Sequence, residues 1–218
     1  MENEYYKKDG KFYERVTRIT DYFCPPDLLK WKVETGKTAS NRISKIALNF
    51  GSRVHNLIEL GQEPKKTDKP EVIACLRAWE SWKAKYLPTG EIIQGKTLYC
   101  EKRGIAGTPD FGYENTNGLY RINTLVDIKT SREVKPINFV QLGGYASMMD
   151  KRPDILAILR LDKTLGDFEY VTNEKIGMSV DQCIAAFNYL LGYYRFYKQV
   201  QSTLKGNAKG PMAQGEEE

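Results

Sequence analysis

Apolar residues recur at helical spacing in several long stretches of the chain. Across residues 40–60, Ile43, Ala47, Phe50, Val54 and Ile58 form one stripe, and Gly61 supplies the stop. Pro70 opens a second helix to about Leu87, with Val72, Leu76, Trp79 and Tyr86 on its apolar side and Pro88 and Gly90 beyond its end. Pro136 opens a third, to about Met149, and places Gln141 and Tyr145 on one face at i, i+4 spacing. Ser179 and Gln182 form a capping-box signature. The helix they start carries Val180, Ile184, Phe187, Leu191 and Tyr194 to about Val200. A shorter helix, Pro26 to Glu34, has Leu28, Leu29 and Trp31 as its apolar content. Tryptophans 31, 79 and 82 read as core, and Tyr189, Tyr193, Tyr194 and Tyr197 as a packed helix lining.

Between the helices the pattern shifts to strands. Residues 91–100 read as one strand, residues 154–161 as a buried strand, and Phe168 to Thr172 as its return after a turn at Leu165-Gly166-Asp167. Residues 1–15 are polar and expected to be loosely held. Residues 201–218 are Gly-rich, polar and end in three glutamates, a composition of disorder. This order predicts an α/β (α+β) fold with a central mixed sheet flanked by helices. It spans one domain over residues 1–200, with a helical part at about 16–90, a core at about 91–172 and a last helix at 179–200.

The hairpin at the centre of this order carries the densest chemistry. Asn117-Gly118 is a type I′ turn signal. With that turn, Asp110 faces Leu125 and Thr108 faces Asp127, so Asp110 and Asp127 become diagonal neighbours on one face. The other face carries Phe111, Tyr113, Tyr120, Ile122, Thr124, Val126 and Ile128 and is expected to pack on helices. A slip of one residue would put the aspartates on opposite faces. Asp127 and Lys129 are two apart and share a strand face. A carboxylate beside an ammonium there is a metal ligand next to a cation that can hold a phosphate or orient a water. His55 lies one turn beyond Gly51 on the first long helix, and Glu59 one turn further.

Composition narrows the classes without choosing one. Hydrophobic residues make up 41% of the chain and the net charge is +5, which permits a polyanionic partner. No apolar run approaches the ~20 residues of a membrane span. The stretch Met1 to Gly10 lacks the apolar core of a secretory signal, and its acids argue against a transit peptide. Cys24, Cys75, Cys100 and Cys183 are scattered without a C-x2-C pair, so reduced thiols in a cytoplasmic setting are expected.

Taken together, Gly51-x3-His55, Pro109-Asp110, Asp127-x-Lys129 and Gln141-x3-Tyr145 resemble the PD-(D/E)XK nucleases, in their RecB-like exonuclease branch. All four motifs occur in the branch's order. Asp-x-Lys alone is common by chance; the set is specific. Val16-Thr-Arg-Ile19 and Leu28-Leu-Lys-Trp31 also look like the entry segment of phage-type and mitochondrial single-strand members, which extends the resemblance to about residue 200. The resemblance implies a restriction-endonuclease-like core and hydrolysis of phosphodiester bonds from DNA ends with one or two Mg²⁺ or Mn²⁺ ions. It implies Asp110, Asp127, the Ile128 backbone carbonyl and His55 as metal ligands, and Lys129 beside the attacking water. Imidazole suits Mn²⁺ better than Mg²⁺. Gln141, Tyr145, Thr130 and Ser131 are implied at the site or the DNA backbone. Arg53 is carried as a DNA contact although it lies off the His55 face.

Many relatives place a glutamate in the strand before the hairpin. Here Glu91 and Glu101 stand at the two ends of that strand, and both stay open, with Glu91 carried as a possible ligand. Some relatives hold an iron–sulfur cluster with one early and several late cysteines. Cys183 is the only late one after Cys24, so no cluster is expected. A phage-type setting implies a bacterial or infected cell's cytoplasm and a single-strand annealing protein as partner. Two other readings stay open: a catalytically inactive nucleic-acid-binding module on the same fold, and a structure-specific endonuclease. Lys65, Lys66 and Lys69 read as a solvated loop.

Overall fold

A computed structural model of the protein describes residues 5–86, 92–117 and 120–207. In chain order these form β1 (Tyr5–Lys8), β2 (Lys11–Arg15), α1 (Val16–Asp21), α2 (Pro26–Thr35), α3 (Lys37–Leu60), α4 (Pro70–Tyr86), β3 (Ile92–Gln94) and β4 (Leu98–Cys100). They continue as β5 (Ile105–Gly107), β6 (Phe111–Asn117), β7 (Tyr120–Lys129), α5 (Pro136–Ala146), β8 (Ile155–Leu161), β9 (Phe168–Thr172) and α6 (Val180–Asn207). The fold is mixed α/β. One sheet has the order β3-β6-β7-β8-β9, the other β1-β2-β5-β4. Both are mixed, with a parallel β7/β8 pair in the first and a parallel β2/β5 pair in the second. Among the described residues, no helix is long and apolar enough to cross a membrane.

The larger sheet is covered on both faces, which is why β8 is apolar except at Arg160 and why Leu125, Val126 and Ile128 of β7 are all buried. Leu125, Leu156 and Ile158 pack with Ile19 of α1, Leu142 of α5 and Phe187 of α6. Val126, Ile128, Ala157 and Leu159 point the other way, against Val54 and Leu57 of α3 and Trp79 and Trp82 of α4. Successive strand residues alternate between these two cores, as the pleat requires. The capping box is formed: Ser179 N–H donates to Gln182 Oε1 at 2.8 Å, and Gln182 N–H to Ser179 Oγ at 3.1 Å.

Several expectations are corrected. Residues 5–15 form a hairpin rather than a loose arm. Asp9 and Gly10 have φ of 49° and 75°, the two positive angles of a type I′ turn, and Tyr13 is buried. Residues 92–100 form two strands in two different sheets, because Gly95 turns the chain at φ 66°. The central hairpin pairs Phe111 with Val126 and runs to Asn117 opposite Tyr120, so Asn117 belongs to the ladder rather than the turn. Gly118 and Leu119 lie outside the described residues. Apart from the buried Ser40, the N-terminal half of α3 is uncovered, with Ile43 exposed, and its apolar face becomes covered only from about Phe50. Gln201–Asn207 continue α6 instead of starting a tail, and the rest of that stretch lies outside the described residues.

The glycine pair of α5 serves helix packing. A Cβ on Gly143 would sit 2.2 Å from the Cys183 carbonyl oxygen of α6, and one on Gly144 would sit 2.8 Å from the Phe187 ring. The first clash is with backbone, which cannot rotate away. Gly143→Ala is therefore expected to destabilise the protein by at least the roughly 1–3 kcal/mol of ordinary overpacking. Urea unfolding followed by circular dichroism measures it.

Candidate active site

The end of β7 places Asp127 and Lys129 on the α5 side of the sheet. Lys129 Nζ lies 2.6 Å from Asp127 Oδ2, and the Asp127 side chain is only 2% exposed. Despite that contact, Oδ2 receives no well-directed hydrogen bond. It is a buried anionic oxygen whose partner is a charge rather than an aligned donor. The Gln141 amide straddles the pair. Its Oε1 accepts from Lys129 Nζ at 3.3 Å, and its Nε2 donates to Asp127 Oδ1 at 3.1 Å. The same nitrogen lies 2.9 Å from the Tyr145 hydroxyl, one turn along α5. Gly107 of β5 makes room for that ring, since a Cβ there would meet Tyr145 Cε1 at 2.5 Å.

Asp110 stands where the chain leaves the smaller sheet and enters the larger one. One step beyond the observed ladder, its register sets Asp110 opposite Asp127 rather than diagonal to it. The Ile128 N–H donates to Asp110 Oδ2 at 2.8 Å. His55 Nδ1, from α3, lies 3.1 Å from Asp110 Oδ1. Thr108 is not opposite Asp127. Its hydroxyl pairs with those of Thr97 at 2.8 Å and Tyr6 at 3.1 Å.

The charges of this cluster shape one another. Burial pushes the Asp127 carboxyl up to about 6, and the neighbouring Asp110 charge adds to that, outweighing the pull of Lys129. At Asp110 the balance reverses. Burial opposes ionisation, but the His55 hydrogen bond and charge, Lys129 and the Ile128 N–H together hold its pKa below the usual carboxylate value. Burial likewise works against the charged forms of His55 and Lys129, yet the carboxylates around them raise both pKa values. Two adjacent carboxylates thus have environments that push their pKa values apart.

The remaining expected residues divide. A Cβ on Gly51 would lie 3.4 Å from Thr130 Oγ1, so α3 passes close to the residue that follows β7. Ser131 is exposed and donates to the Glu133 carbonyl at 2.8 Å. Tyr145 is 2% exposed and offers no surface to a nucleic acid in this conformation. Glu101 pairs with Lys11 at 3.2 Å on the smaller sheet, away from the cluster. Glu91 lies outside the described residues. Among the described residues, no set of three His, Cys, Asp or Glu side chains is gathered tightly enough to hold an ion by itself.

Arg53 makes two bonds to Asp68, at 2.9 and 2.6 Å, and so braces the α3–α4 loop. The Arg53 hydrogen bond, with one from the Lys65 N–H, lowers the Asp68 pKa from 3.8 to about 2. A depressed carboxylate stabilises the fold above its unfolded pKa, and that contribution is lost as pH falls through the folded one. Asp68→Asn is expected to be less stable than wild type above pH ~4, with the melting temperatures converging toward pH ~2. Thermal unfolding across that window checks it.

No family model matches the chain, and no curated protein matches it. Among solved structures the chain is similar to SSO0001, at 13% identity over 86% of this chain and 78% of that one, with a TM-score of 0.40.

Proposed function

We propose that the protein is a metal-dependent DNA exonuclease of the PD-(D/E)XK type, which hydrolyses phosphodiester bonds from free DNA ends. The observation that carries this reading is the convergence of Asp110, Asp127, Lys129 and His55 at one end of the larger sheet. Two largely buried carboxylates, one ammonium and one imidazole come there from three separate elements. An ion pair kept for stability alone has no need of a second carboxylate and a histidine beside it.

The donor set fits a hard divalent cation. Asp110, Asp127, the Ile128 carbonyl and His55 would hold Mg²⁺ or Mn²⁺, and the buried Asp127 Oδ2 without an aligned donor is an oxygen suited to such an ion. The bound ion supplies an activated water and neutralises charge on the phosphate. Lys129 keeps its proton and presents a fixed positive charge to the scissile phosphate and the water beside it. Gln141 holds Lys129 and Asp127 in one orientation, and Tyr145 holds Gln141. Asp110 is kept ionised and aimed by the Ile128 N–H and His55. Thr130 and Ser131 stand at the strand end, where their hydroxyls would meet phosphate oxygens. The net charge of +5 favours a polyanionic substrate.

The reading includes a cytoplasmic setting in recombination, repair or replication, with a single-strand annealing protein downstream. A covalently closed circle tested beside the same DNA linearised separates an exonuclease from an endonuclease. The linear form is expected to be degraded and the circle to survive. Nicking or linearisation of the circle would move the assignment to an endonuclease.

A further inference from the structure

After the helices α1–α4 the chain crosses directly between its two sheets twice, and both of these crossings meet beside α3. One is at Gly95, between β3 and β4; the other is at Thr108–Asp110, between β5 and β6. The hydroxyl pair of Thr97 and Thr108 joins them at 2.8 Å. Between these crossings and the helix lies a cavity of about 40 Å³, lined by His55, Glu59, Gln94, Gly95, Asp110 and Ile128. That is the room of one or two waters, enough for a partly hydrated ion and far too little for a nucleotide.

Glu59 is one helical turn beyond His55, so the two side chains share a face. The opposite wall comes close to the glutamate's carboxylate. Gly95 has a φ of +66°, and a Cβ there would lie 2.4 Å from Glu59 Oε1. Any other residue would be strained there and would displace the exposed glutamate's carboxylate from this position. The cavity thus brings together two carboxylates, an imidazole and the Gln94 amide. These groups do not close on a single point. Mg²⁺ and Mn²⁺ keep several waters, so a glutamate set back from the ion still acts on it through that shell.

We infer that Glu59 is a further carboxylate of the cation site, holding the ion's water shell from α3 beside His55, while Asp110 ligates from the sheet side. The inference rests on the metal-dependent reading above. It assigns the acidic partner to the helix, one turn past the histidine, instead of to the strand before the hairpin.

The test is a Mn²⁺ titration of the full chain, with free Mn²⁺ followed by electron paramagnetic resonance. Wild type, Glu59→Gln and Asp110→Asn are compared, and thermal unfolding of each confirms folding. Glu59 is exposed, so its amide variant is expected to fold as wild type does. Glu59→Gln is expected to weaken Mn²⁺ binding by about 10-fold or more, in the range of residues that act through a ligand's shell. Gly95→Ala, which displaces that carboxylate, is expected to weaken it in the same direction. Wild-type Mn²⁺ affinity in Glu59→Gln, with binding lost in Asp110→Asn, would overturn this inference and leave the metal-dependent reading standing. No Mn²⁺ binding by wild type would overturn both.

Discussion

Lys129→Ala is expected to reduce DNA cleavage by about 10²–10³-fold, the usual loss when one preorganised charge is removed from a transition state. The lysine is aimed by Gln141. Its removal also exposes a conflict that the folded protein manages through the ion pair. Asp127 would remain buried without its counter-charge, and breaking a buried pair costs about 3–5 kcal/mol when the survivor stays charged. Asp127 has a way to limit that cost. Burial, with help from Asp110, already holds its pKa near 6, and loss of Lys129 raises it further. Taking up a proton then costs only about 1.4 kcal/mol per pH unit between the pKa and the solution.

The sign follows from that raised value. The folded variant binds a proton more tightly than the unfolded chain, so its stability declines as pH rises above the unfolded value of 3.8 toward and through the folded one. The gap in melting temperature between Lys129→Ala and wild type is expected to narrow as pH falls from about 8 to about 5. A gap that widens instead would mean that Asp127 is not the group left stranded. Cleavage would be lost at every pH, which separates the catalytic effect from the stability effect.

Trp82→Ala is expected to cost about 3–5 kcal/mol of stability, the range for truncating a buried aromatic side chain. Trp82 is fully buried on α4 and stacks on Trp79 at 5.1 Å and on Tyr86 at 6.0 Å between ring centroids. It meets Phe111 and Tyr113 of β6 edge-on, each at 5.8 Å. This cluster fixes the strand whose first residue follows Asp110, so the loss reaches the site. Trp82 Nε1 has no hydrogen-bond partner. Trp82→Phe removes that unpaired N–H along with some volume, and two opposed effects leave it with a clearly smaller loss than the alanine variant. Chemical denaturation of both variants measures the difference.

The chemistry of the central strands was legible because it depends only on short periods. Asp127 and Lys129 share a face at any register, and Gln141 and Tyr145 share one at any helix orientation. A turn at Asn117-Gly118 lies one residue from the observed one, yet Asp110 comes to Asp127 either way. The difference moves both strands together, so their faces keep their parity. Asp9-Gly10 is itself a type I′ turn signal, and it is the lysines around it that give the segment its polar look. What could not be read was the relation between the sheets. Nothing local to residues 91–100 shows that Gly95 sends the chain from one sheet to another, or that it comes to lie against Glu59. The uncovered half of α3 was hidden for a related reason. Periodicity shows that a helix has an apolar face, not how much of that face the sheet covers.

The central claim is tested most directly by incubating end-labelled linear DNA, single- and double-stranded, with the protein and Mg²⁺ or Mn²⁺, with and without EDTA. The account predicts short products with either metal, more with Mn²⁺ than with Mg²⁺, and none with EDTA. Binding of the DNA without cleavage under either metal would contradict it and leave a nucleic-acid-binding module on this fold.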